Sequence, residues 1–395
     1  MIRLVRSLPL AAALALALLL GFFFALPVIV DGRMNRLDTA TAIPVTERAR
    51  ALHASLTIVD LHNDVLLWDR GLMGPVPRGH TDLTRLAQGN VALQVFSTVT
   101  KTPKGQNYER NSAEGDNITL LAIASRWPPR TYGSLLARAL HQADKLTRTA
   151  ALAPERLLLV RTGADLRNAL QRRAEFAGPA DRRPVIGFLN TEGLQAIEGE
   201  IGNLDTLFAH GFRMAGLAHF FDNEVAGSAH GEVKGGLTPL GRAVVPRMQA
   251  MGMLVDLAHA SPAAFQEALA LATRPVVVSH VGVQATCAGP RNLTDDQLRS
   301  LSVNGALVGI GFWDGAVCTP SPRDVARAMR HAVDVAGIDH IALGSDWDGA
   351  TTVAIGGDTL AQLTQALLDA GFTEEEIRAI MGGNAIRFLS ANLPA

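Results

Sequence analysis

Eight short apolar, β-branched runs recur along this chain, at residues 57–61, 92–97, 184–190, 214–218, 254–257, 275–279, 306–311 and 340–344. Runs of this length and composition predict strands buried on both faces. Most are separated by stretches whose apolar residues recur at spacings of three and four, as at 114–147, 237–251, 262–271 and 321–335. That spacing predicts helices. Strand and helix in alternation force parallel strands, and eight such units predict a (β/α)8 barrel of the TIM type. The competing doubly wound sheet is disfavoured because no Gly-x-Gly-x-x-Gly follows an early strand.

The residues at the strand ends narrow the function. The first strand ends in Asp60-Leu61-His62-Asn63-Asp64, where the period of two puts His62 and Asp64 on one face. A short string of this kind is common by itself. The pattern then repeats: Glu192 follows the third strand, His219 the fourth, His259 the fifth, His280 the sixth and Asp346 the eighth. A barrel would bring all these donors to the C-terminal rim of its strands, where the active sites of this fold lie. The second strand offers no evident ligand, and the seventh ends in Phe312-Trp313, an expected apolar wall. His80, His141, His210, His230, His331 and His340 fall on expected loops, helices or a strand start and read as structural or solvated. Asp60 and Asp256 alternate with the rim residues and are expected to make internal hydrogen bonds. Four histidines, two or three carboxylates and no thiolate suit zinc or another borderline divalent ion. That set exceeds one tetrahedral site. Two ions, bridged by a carboxylate and a hydroxide, would use it fully.

The chain has 395 residues, of which 48% are hydrophobic and 18% charged, enough apolar material for a large core. A net charge of -1 with no basic run argues against nucleic acid as a partner. Residues 8–30 form an apolar run preceded by Arg3 and Arg6. At about 1.5 Å per residue it can cross a bilayer core of about 30 Å. Residues 1–30 therefore read as a signal anchor or a signal peptide, residues 31–50 as a linker and residues 51–395 as the barrel domain. The basic residues before the run place that domain on the exported side, periplasmic in a cell with two membranes. Cys287 and Cys318, the only cysteines, are compatible with one disulfide or with two buried thiols.

With these residues in view, the chain resembles the membrane dipeptidase (renal dipeptidase) family of the metal-dependent amidohydrolases. The likeness rests on the first-strand motif and on Asp82-Leu83-x-Arg85-Leu86, Asn190-Thr191-Glu192-Gly193, Leu217-Ala218-His219 and Asp256-Leu257-Ala258-His259. It continues through Ser279-His280, Pro290-Arg291-Asn292 with Asp295-Asp296, Gly344-Ser345-Asp346-Trp347-Asp348-Gly349 and Gly382-Gly383-Asn384. The resemblance implies a zinc-dependent dipeptidase with two Zn2+ per chain, His62 and Asp64 holding one, His259 and His280 the other, and Glu192 bridging them. It implies that His219, Arg291 and Asp346 meet the substrate, Arg291 gripping its carboxylate, His219 its oxyanion and Asp346 moving the proton. Cys287 and Cys318 resemble a pair that is bonded in animal members. The expected partners are a small dipeptide and, through the N-terminal segment, the membrane, with a homodimer left open. The rival readings are a same-fold amidohydrolase acting on a β-lactam, lactone or N-acyl amino acid, and a non-catalytic peptide-binding barrel. Phe312-Trp313 and Trp347 depart from the family pattern and put the substrate in question, not the metals.

Overall fold

The computed structural model describes residues 12–395, so Arg3, Arg6 and the first residues of the apolar run lie outside the described residues. Eight parallel strands close into a barrel: β1 Ile58–Asp60, β2 Val91–Phe96, β3 Val185–Thr191, β4 Phe212–Gly216, β5 Leu254–Asp256, β6 Val277–Val281, β7 Leu307–Ile310 and β8 Ile341–Leu343. Each pairs with the next, and Leu343 of β8 pairs with Asp60 of β1 to complete the ring. All eight overlap the runs expected from sequence. A further short strand, Leu157–Leu159, adds to the start of β3 and was not expected. The stretch 114–147 is two helices, Asn117–Ala124 and Leu135–Leu152, because Pro128 and Pro129 interrupt it.

Inward side chains fill the barrel as alternation requires. Val59, Leu93, Ile186, Phe188, Met214 and Leu254 pack with Ala385 and Leu389 of the C-terminal helix Asn384–Asn392. The interior is therefore a packed core rather than a pore. Outward side chains meet the helices, whose ends are capped as their sequences dictate. Thr294 and Gln297 form a reciprocal cap on Asp295–Asn304, and Ser321 caps the helix Pro322–Ala336, whose buried face carries Val325, Met329 and Val333.

The N-terminal apolar segment is a helix through Met34, and most of its length is exposed. Its end is tied to the barrel. Asp31, which is buried, accepts from Arg78 Nε at 2.8 Å and stands 3.3 Å from Arg70 Nε. Arg70 in turn pairs with Asp348. Removing one partner from a buried pair costs about 3–5 kcal/mol, so this contact fixes the helix end. Arg36–Leu37 then pair as a short parallel ladder with Thr352–Val353, in the segment after β8.

Cys287 and Cys318 are bonded, joining the segment after β6 to the one after β7. The bridge closes a separation of 31 residues. A loop of that size restricts the unfolded chain by about 3–4 kcal/mol. The double variant Cys287→Ser/Cys318→Ser is expected to melt roughly 5 °C lower by calorimetry. An unchanged Tm would mean that the rest of the fold holds these segments unaided.

Candidate metal centre

The rim residues ride on backbone that continues the barrel ladders. Glu192 N donates to Thr98 O at 3.0 Å and Asp64 N to Trp347 O at 2.9 Å, so both carboxylates leave from hydrogen-bonded backbone. His280 stands within β6, while His259 and Asp346 follow β5 and β8 with left-handed φ values of 62° and 59°. Left-handed backbone is costly for residues other than glycine and recurs at functional sites, where it aims a side chain. Glycine serves where strands crowd. A Cβ on Gly344 would fall 2.1 Å from Ser279 O, beside the backbone of His280.

Glu192 is the centre of the arrangement. Its Oε1 lies 3.0 Å from His259 Nε2, 3.1 Å from His280 Nε2 and 3.6 Å from His62 Nε2. Its Oε2 lies 3.2 Å from His219 Nε2. Asp64 and Asp346 stand 3.4 Å and 4.0 Å from His62 Nε2. The His62 and His280 rings stack at 3.6 Å. All seven, with Arg291, are buried. The structure thus brings together every site residue singled out from the sequence.

A second layer orients the imidazoles. Asp256 accepts from the Ser279 amide at 2.9 Å and from its hydroxyl at 2.5 Å, and that hydroxyl also contacts His280 Nδ1 at 2.9 Å. Ser97, at the end of β2, lies 3.3 Å from His62 Nδ1. Asp60 accepts from the Ser345 amide at 2.7 Å. Both Nδ1 contacts leave an Nε2 free to face Glu192, the outer-layer arrangement that metal-binding histidines use. Asp60 and Asp256 hydrogen-bond internally, as expected.

Burial sets the protonation states. It holds His259 and His280 well below the usual imidazole range, with the Arg291 charge adding to the effect at His259 and His62 at His280. Burial pulls His219 down to about 3. These rings are neutral, the form that binds metal. Burial also pulls on His62, but Asp64 and Glu192 overcome it and lift this ring to about 10. Glu192 is raised well above the usual carboxylate range by burial and by Asp64. Asp346 is raised to about 8 by burial, against the pull of His62 and with Asp64 adding to the rise.

Dense, buried and mutually repelling donors are the signature of a site shaped for a cation. Three groups, His62 with Glu192 and His280, Glu192 with His219 and His259, and His62 with Asp64 and Asp346, each have ligand atoms within 4.8 Å of one another. His62 Nε2 and Asp64 Oδ1 are buried without a hydrogen-bond partner among the described residues. Desolvating such atoms without a partner costs about 1–3 kcal/mol each, and a metal would remove that cost. The residues therefore fit a metal.

Sequence reading passed over several residues. His230, read as structural or solvated, is buried with its ring 4.8 Å from Phe220 and 5.2 Å from His259. Its Nδ1 meets the Tyr108 carbonyl at 2.8 Å, and burial lowers it to about 3. Tyr108 hydroxyl accepts from Trp313 Nε1 at 2.9 Å, joining the 105–110 loop to the segment after β7. No local pattern marks a loop residue that becomes buried this way. His80 is structural, its Nδ1 accepting from the Asp348 amide at 2.8 Å. Of the expected apolar wall, Trp313 lines the cavity above the metal centre, while Phe312 packs on Trp347 at 5.8 Å.

A closed (β/α)8 barrel with imidazoles and carboxylates converging at its C-terminal rim is the architecture of a metal-dependent hydrolase. Residues 46–393 match the model of the membrane dipeptidases, peptidase family M19. The chain belongs to that family. It is 29% identical to dipeptidase verJ of Clonostachys rogersoniana over 360 residues, covering 87% of this chain and 86% of that protein. The crystal structure of dipeptidase AC, a family M19 metallopeptidase, superposes with a TM-score of 0.69 at 25% identity, covering 86% of this chain and all of that one. The same fold is seen in a metallopeptidase from Rhodobacter sphaeroides liganded with a phosphinate mimic of the dipeptide L-Ala-D-Ala, with a TM-score of 0.67, 24% identity and coverage of 86% and 99%.

Proposed function

We propose that this enzyme is an exported zinc dipeptidase that hydrolyses the single peptide bond of a dipeptide at the Glu192 centre. The observation that carries the reading is the meeting of three histidine Nε2 atoms within 3.6 Å of one Glu192 oxygen, with two further carboxylates alongside. His62 and Asp64 would hold one zinc ion, His259 and His280 a second, and Glu192 both. Such a pair supplies an acidified water as nucleophile and polarises the scissile carbonyl.

The remaining steps belong to the chain's own groups. Arg291 Nη2 donates to His280 O at 2.7 Å and the guanidinium lies 5.1 Å from the Trp313 ring centroid, so its position is set and its remaining N–H groups are available. It grips the substrate carboxylate through paired hydrogen bonds. His219 donates to the carbonyl oxygen as charge develops there. Asp346 takes the proton from the attacking water and returns it to the leaving amine. The N-terminal helix, with the basic residues before it, tethers the domain on the outer side of the membrane.

Purified protein is expected to contain zinc and to cleave dipeptides. Chelator should abolish turnover, and added zinc should restore it. Full activity after complete metal removal would refute the proposal. A panel of β-lactams, lactones and N-acyl amino acids assayed alongside separates a dipeptidase from a relative that acts on other bonds.

A further inference from the structure

The N-terminal helix does more than precede the barrel. Its last turns reach the mouth of the cavity of about 420 Å³ whose floor holds Glu192, His219, Arg291 and Asp346. Val30 and Met34 line that cavity directly. Val30 also packs on the small apolar cluster of Leu67, Trp68 and Ile118. Beside the charged groups at its floor the cavity is lined by polar residues such as Asn107 and Asn117 and by an apolar patch of Leu67, Trp68, Ile118 and Leu121, to which the helix adds Val30 and Met34.

The helix end is held there by contacts on two sides. On one, Asp31 meets Arg70 and Arg78, and Asn35 Oδ1 accepts from the Ala350 amide at 2.9 Å, four residues beyond Asp346. On the other, Arg126 donates to Phe23 O, and its guanidinium lies 4.6 Å from the Phe24 ring centroid. Preceding residues such as Leu14, Leu16 and Leu18 are exposed, the surface a bilayer would cover. The exposed apolar stretch of the helix, which runs on through Val28 and Ile29, therefore abuts the residues that wall the cavity.

We propose that Val30 and Met34 are specificity-determining residues, forming the apolar subsite for a bulky hydrophobic side chain of the substrate, so that the enzyme prefers apolar dipeptides. This rests on the dipeptidase reading above. A wall of apolar side chains favours an apolar group by burying it, and one methylene more or less shifts selectivity by roughly tenfold or more. A charge placed there must be desolvated when the subsite fills.

The test uses full-length protein in detergent, with leucine- and phenylalanine-containing dipeptides compared against diglycine. Met34 is 44% exposed, so its replacement does not threaten the core. Met34→Glu is expected to lower the ratio of kcat/KM for the apolar dipeptides over diglycine by roughly tenfold, mostly through KM. Val30→Ala should lower it less, and Met34→Leu should keep it near the wild-type value. Leu152→Glu, at a surface leucine 83% exposed, serves as the unaffected control. An unchanged ratio in Met34→Glu, or a fall in kcat equal for all substrates, overturns the inference while leaving dipeptidase activity standing. Wild-type protein that cleaves none of these dipeptides overturns both.

Discussion

Glu192→Gln is expected to lose bound metal and to reduce kcat by about 10^3-fold or more while the barrel stays folded. The substitution keeps the side-chain shape but removes the charge on which His62, His219, His259 and His280 all converge. Glutamine could still accept a hydrogen bond through one oxygen, yet, being neutral, it cannot balance the charge of a bound cation. Several kcal/mol of charge stabilisation disappear, and each 1.36 kcal/mol is a factor of ten in rate. Metal analysis, circular dichroism and steady-state kinetics on one preparation decide the matter. Stoichiometric metal with wild-type turnover would refute the bridging role.

Asp346→Asn should behave differently, and the contrast is informative. The side chain is buried, and Gly349 approaches it so closely that a Cβ there would stand 2.1 Å from Asp346 Oδ1. Asparagine fits the same space, so folding should survive. The variant should retain its metal and nearly its KM, while kcat falls about 10^2- to 10^4-fold, the range for loss of a general acid–base group. Loss of metal along with activity would instead make Asp346 a ligand, a placement its nearness to His62 and Asp64 allows.

Much of this site was legible before the fold. A strand buried on both faces is a run of β-branched residues, and the donor that ends it sits at the barrel rim because parallel strands all end on one side. His62, Asp64, Glu192, His219, His259, His280 and Asp346 could each be found in this way. Arg291 could not, because it lies in the segment after β6 with no strand-end position to mark it, and only its family motif singled it out. Asp60 and Asp256 followed from alternation, and both orient the rim. His230 escaped because its burial depends on the path of the loop after β4 and on Tyr108, more than a hundred residues earlier. The interrupted helix near Pro128 escaped for a different reason: apolar spacing persisted across a proline pair, and the break was read through.

The chain's own order of residues determined its alternation of strands and helices, the donors at the strand ends and the length of the apolar N-terminal segment, since each is a local pattern of period, polarity or composition. Tertiary structure alone decided that His230 would be enclosed beside the imidazoles around Glu192 and that Val30 and Met34 would wall the cavity. Those outcomes depend on where loops of different length carry distant segments, and on the packing and buried ion pairs that hold them there. No local pattern encodes such contacts.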